Sequence, residues 1–128
     1  MGQQQLLLVI VGVIIVGLAI AVGISLFSAQ SVAYNRDAMI NDLNHIGQLA
    51  YQYRITLHRL GGGEGKYVGF LIPSQLATNS NARYSVLDAQ IGTVTVKGVS
   101  VMDSTNTITV TVNNQGKLAN LIFSGDFQ

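Results

Sequence analysis

The chain has no charged side chain before Arg36. Within that stretch Leu6 to Phe27 reads LLLVIVGVIIVGLAIAVGISLF, 22 residues interrupted only by glycines and Ser25. At about 1.5 Å per residue this makes a helix of roughly 33 Å, close to one hydrocarbon thickness. A helix that is apolar on every side must be buried on every side, by lipid or by a bundle of like helices. The whole chain is 48% hydrophobic and only 10% charged, against about 25% charged for an ordinary soluble domain. The deficit is not uniform: every charged side chain lies from Arg36 onward, and that remainder reads as a water-facing domain.

Three roles compete for this segment. A cleaved secretory signal has a basic leading region and an apolar run of 7–15 residues. Met-Gly-Gln-Gln-Gln carries no positive charge and the run here is longer, so retention is expected. A single-span membrane anchor fits the length but leaves the continuing helical pattern unexplained. A stalk that sits in a membrane and later forms the core of a filament accounts for both. Gly12, Gly17 and Gly23 each cost a helix in water roughly 1 kcal/mol relative to Ala. They allow close helix–helix approach, with Gly17 and Ala21 as a small-xxx-small pair, or they let the helix stretch locally, or they reflect the general abundance of glycine in membrane helices.

From Ser28 to Leu60 the helical rhythm continues and becomes one-sided. Apolar positions fall at Val32, Met39, Leu43, Ile46, Leu49, Ala50, Tyr53 and Leu57. Asn35, Arg36, Asp37, Asn41, Asp42, Gln48, Gln52, Arg54 and Arg59 lie between them. No proline intervenes, and Gly61-Gly62-Gly63 is expected to stop the helix. One helix of about 55 residues, some 80 Å long, is predicted. Residues 1–27 form its apolar stalk, and 28–60 pack on the domain that follows.

Residues 61–82 read as an irregular connection. Tyr67, Val68, Phe70, Leu71 and Ile72 are candidates for core, Pro73 argues against a central strand, and Ser74–Asn81 is a polar loop. From Arg83 the period becomes two. Tyr84 and Val86, with Leu87, belong to a first strand, and Thr93-Val94-Thr95-Val96 to a second. Val99 and Val101 change phase after Gly98, which predicts a bulge or tight turn there. Asp103–Asn106 and Asn113–Gly116 are turns. Ile108, Val110 and Val112 point inward, and Leu118 to Phe123 close the pattern. The expectation is an α+β fold, with a long N-terminal helix packed on a small antiparallel sheet of three or four strands at 83–128. Its core is assigned to Leu43, Ile46, Leu49, Tyr53, Val94, Val96, Ile108 and Val110.

Motifs for chemistry are sparse. His45 and His58 are thirteen residues apart on nearly opposite helix faces. Gly61–Gly65 follows a helix instead of opening one, so it does not read as a phosphate cradle. The carboxylates Asp37, Asp42, Glu64, Asp88, Asp103 and Asp126 form no evident pair. Asp103 with Ser104 and Asn106 reads as a plain turn before a calcium site. Seven Lys plus Arg, thinly spread, give no basic patch, so nucleic acid is not an expected partner. Cysteine is absent. No catalytic set, metal or cofactor is expected.

An uncharged N-terminal helix running into an amphipathic half on a small antiparallel sheet resembles type IV pilins and the pseudopilins of type II secretion. The resemblance covers the whole chain as architecture and rests, residue by residue, on about the first thirty positions. It implies a mature N-terminal residue, often Phe or Met, that is N-methylated, with Glu at the fifth position. With Met1 in that place the fifth residue is Gln5, an amide that hydrogen-bonds but neutralises no charge and is cheaper to bury than an ion. The chain also lacks the family's proline near position 22 and its C-terminal disulfide loop.

The resemblance implies a fimbrial subunit at the cell surface with a structural and adhesive role. Its filament core would be built from Gln5, Leu6, Leu7, Val9, Ile10, Val13, Ile14, Gly17, Leu18, Ala21 and Ile24, with helix flexibility at Gly12, Gly17 and Gly23. Its partners would be identical subunits, a pilus assembly machinery and, before assembly, the inner membrane. A minor pseudopilin of a secretion or uptake machine, and a single-span anchored binding domain, are the alternatives.

Overall fold

A computed structural model of the chain describes residues 2–128. Met1, the candidate mature N-terminal residue, lies outside the described residues. The chain divides into two compact units, Met1–Ala33 and Tyr34–Gln128, where the sequence placed the division after Phe27. Helix α1, Gly2–Ile55, supplies the whole of the described part of the first unit and opens the second.

In the second unit α1 packs on a four-stranded antiparallel sheet. Its strands are β1 (Ala82–Ala89), β2 (Val94–Ser100), β3 (Thr107–Val112) and β4 (Leu118–Ser124), in the order β1-β2-β3-β4. This is the predicted α+β fold as a simple meander. Met39, Leu43, Ile46 and Ala50 recur every three or four residues and are buried, which brings one helix face to the sheet. The sheet answers with Val94 and Val96 of β2 and Ile108, Val110 and Val112 of β3, all fully buried, and Ala82 and Tyr84 of β1. Each such side chain stabilises the fold by roughly 1.5–3 kcal/mol relative to exposure. Of the eight core residues expected from sequence, Leu49 and Tyr53 are only half-buried. Leu49 lies off the 39–43–46–50 line. Tyr53 is held at the rim, where its hydroxyl donates to Val68 O at 2.7 Å.

The helix ends earlier than expected. It stops at Ile55, and His58–Leu60 is a separate 3₁₀ turn with Leu57 exposed. At the helix end Thr56 N and Thr56 Oγ1 both donate to Gln52 O, at 3.1 and 2.5 Å. The glycines act as a cap, folded back on the helix end. Gly63 N donates to Tyr53 O at 2.8 Å and Gly65 N to Arg54 O at 2.5 Å, satisfying carbonyls that a helix terminus leaves unpaired. A Cβ on Gly63 would stand 1.8 Å from Lys66 O, so that return path needs glycine.

Three further expectations change. Ser74–Ala77, read as loop, is a one-turn helix, α2, following Pro73. Proline presets its own φ for a turn or a helix start, and Leu76 N and Ala77 N both donate to Pro73 O. Of the five core candidates in the connection only Tyr67 and Phe70 are buried, while Val68 and Leu71 are exposed and Ile72 half-buried. There is no bulge or turn at Gly98. The strand runs straight through it, with Val94, Val96, Gly98 and Ser100 all inward. Tyr84 is the cross-strand partner of Gly98. A Cβ there would meet the Tyr84 ring at 2.8 Å and Met39 Cε at 3.1 Å, so the tyrosine fills the inward place and Val99 faces outward. The bulges lie elsewhere: Leu87 is extra in β1, exposed with its register shift, and β4 has one extra residue where Asn120 and Leu121 stand against Val110, with Asn120 at φ 52°.

Candidate assembly surface

The first unit has no core of its own. All sixteen large apolar side chains between Leu6 and Phe27 are at least 44% exposed. The residues expected to pack in a filament core (Gln5, Leu6, Leu7, Val9, Ile10, Val13, Ile14, Gly17, Leu18, Ala21 and Ile24) are all exposed, on every side of the helix. The helix is regular through Gly12, Gly17 and Gly23, and nothing stands within 4 Å of a Cβ placed on any of them. At 100° per residue Gln5, Gly12, Ala19 and Gly23 share one face and Gly17 and Ala21 share another, so close approach is open from two directions. The segment is long and apolar enough to cross a membrane and can serve as an anchor.

The second unit is closed by its own contacts, including polar ones that the sequence did not reveal. Asp42, a carboxylate with no evident pair in the sequence, gains partners in the fold. Its Oδ2 accepts hydrogen bonds from Tyr84 Oη at 2.7 Å, Asn79 Nδ2 at 2.9 Å and Asn81 Nδ2 at 3.4 Å. Burial first, and then the neighbouring Asp42 carboxylate, push the Tyr84 hydroxyl far above the usual tyrosine range. Asn35, another of the polar residues between the apolar positions, is buried. Its Nδ2 donates to Asn81 O at 3.1 Å and its Oδ1 accepts from Ser100 Oγ at 2.5 Å. These bonds tie α1 to the loop before β1 and to the end of β2. One signal was available: Asn35, Met39 and Leu43 are spaced by four, on one face.

A second set of bonds fixes the other end of the helix. Arg54 lies 5.6 Å over the Tyr67 ring and its Nη1 donates to Asn114 O at 2.7 Å, while Tyr67 Oη donates to Asn113 O at 2.5 Å. Burial pushes the Tyr67 hydroxyl up and the Arg54 charge opposes it. Thus α1 is joined to the β3–β4 turn by side chains.

His45 and His58 are exposed. Among the described residues no three His, Asp or Glu side chains gather in a metal-holding group. Asp103 Oδ1 accepts from Thr105 N at 2.9 Å and Thr105 Oγ1 at 2.8 Å, which holds its carboxyl below the ordinary aspartate range. That is the geometry of an Asx turn. The exposed apolar helix is therefore the feature of the chain that most demands a partner.

Compared with protein-family models, with curated proteins and with solved structures, the chain finds no match.

Proposed function

We propose that this chain is the structural subunit of an extracellular filament of the type IV pilus kind. One observation carries the reading: a charge-free helical segment, exposed all round, is joined to a unit that already has its own closed core. A membrane covers such a segment before assembly, and copies of the same segment cover it afterwards. Away from both, each large side chain costs roughly 1.5–3 kcal/mol in contact with water.

The segment Leu6–Phe27 is the polymerising element, with the small residues allowing close approach and Gln5 meeting neighbours through amide hydrogen bonds. The second unit forms the outer surface. An assembly machinery transfers subunits from the inner membrane into the polymer at the cell surface. Electron microscopy of material sheared from the producing cells, with mass spectrometry of its N-terminus, tests this. Thin filaments containing the chain are expected. Recovery only from detergent-extracted membranes would favour the anchored-domain reading instead.

A further inference from the structure

Within the second unit α1 and β2 run in opposite directions. Gly47 stands beside Val112, the register partner of Val94, Gly98 stands beside Met39, and Asn35 accepts from Ser100. The chain leaving β2 therefore continues past the level of Asn35, as the turn Val101–Thr105. That turn is held in place: Val101 N donates to Asn81 O at 3.2 Å, Met102 N to Ser100 Oγ at 3.1 Å and Asn106 N to Asp103 O at 3.0 Å. It presents two consecutive apolar side chains to solvent, Val101 and Met102, 46% and 62% exposed, and Tyr34, next to Asn35 on α1, is 70% exposed. Beside them Arg83, Val99, Ser100, Val101 and Ser104 line a cavity of about 320 Å³. Among the described residues Arg83 enters no ion pair. Asn35 follows Phe27 by eight positions, about 12 Å of helix and at most about 28 Å of chain in any conformation. When Leu6–Phe27 crosses a bilayer, that length tethers this end of the unit to the membrane surface.

We propose that the Val101–Met102 turn and Tyr34 dock on the lipid surface, with an anionic headgroup phosphate held by Arg83 and the Ser104 hydroxyl. The tether length selects the occupant, and the inference rests on the membrane stage of the reading above, not on the polymer. The chemistry matches the layer that the turn meets. Tyrosine favours the headgroup level, where its ring is apolar and its hydroxyl wet. The planar guanidinium of arginine fits phosphate oxygens, and a basic side chain near an anionic leaflet is attracted to it. Val101 and Met102 then leave water for the acyl boundary.

The absence of cysteine makes the test direct. Met102→Cys is introduced in the full-length chain, labelled with an environment-sensitive fluorophore and reconstituted into vesicles of phosphatidylcholine and phosphatidylglycerol. Ile91→Cys, in the β1–β2 turn at the opposite end of the sheet and also 62% exposed, carries the same label as control. A blue-shifted emission at position 102, quenched by lipids spin-labelled near the headgroup, is expected, with a water-like emission at position 91. Adding Arg83→Gln should lower the docked-to-undocked ratio about fivefold in these vesicles, the worth of one basic side chain at an anionic surface, and leave it unchanged in phosphatidylcholine alone. A water-like emission at position 102, equal quenching at both positions, or indifference to Arg83→Gln overturns the proposal. So does a blue shift that fades as the protein is diluted in lipid, which marks contact with a second copy. Filaments from cells whose labelled chain stays water-like at position 102 in vesicles would leave the polymer reading standing and remove this one. Release of the chain from vesicles by alkaline carbonate would remove the membrane stage itself, and this proposal with it.

Discussion

Residues 6–27 and residues 35–50 belong to the same helix but follow opposite rules. In the second stretch one face is buried, by Asn35, Met39, Leu43, Ile46 and Ala50, and the other faces carry Arg36, Asp37, Asn41 and Gln48. Its partner, the sheet, lies within the same chain. In the first stretch every face is apolar and exposed. Helix propensity does not separate the two stretches. The placement of polar residues does, because it determines how many sides of a helix need cover. A chain with both patterns in one helix covers one part by its own sheet and leaves the other exposed.

The comparison breaks most sharply at a charge in the first stretch. Val13→Asp should abolish filament formation, since an aspartate at the centre of an apolar span costs about 2.5–3.5 kcal/mol. The thermal unfolding of the second unit should not move. Intact filaments from this variant, seen by electron microscopy, would contradict the proposed role of the segment.

The converse experiment is Leu43→Ala. It should cost the second unit about 2–5 kcal/mol, read by denaturant unfolding of the detergent-solubilised chain, and leave membrane insertion unchanged. Tyr84→Phe should cost less, roughly 1.5–3 kcal/mol for the loss of a hydrogen bond to a carboxylate. Its readout is the same unfolding curve, together with exposure of the Asn79–Asn81 loop to hydrogen exchange.

The smallest effect belongs to Asp103. Its folded carboxyl is held below the ordinary aspartate value, so the protonated form is disfavoured in the native turn. The contribution is therefore fully present at neutral pH and fades only as pH falls below the ordinary aspartate range. The Thr105 amide resonance should report the turn loosening in that acid window, with no change between pH 6 and 8.

What the sequence made legible followed from periodicity. The charge-free run, the 39–43–46–50 line and the alternation of Val94, Val96, Ile108 and Val110 each imply a face, and the fold joins those faces. What it hid depended on contacts between distant residues. Gly98 looked like a break because a glycine shows no inward side chain, and only the neighbouring strand reveals that Tyr84 occupies the place. Asp42 shows no evident partner in the sequence because Tyr84, Asn79 and Asn81 lie 37 to 42 residues away. The helix end at Ile55 was obscured because glycines six residues further on are the more obvious stop, yet they serve as its folded-back cap. For the apolar segment, local pattern was enough, since no contact with distant residues covers it.

The most direct test of the central claim is a helical reconstruction of sheared filaments by electron cryomicroscopy. Residues 6–27 of neighbouring copies are expected to pack against one another at the filament axis, with the sheet-bearing units outside. A polymer with those residues on its outer surface, or sheared material from which this chain is missing, would contradict it.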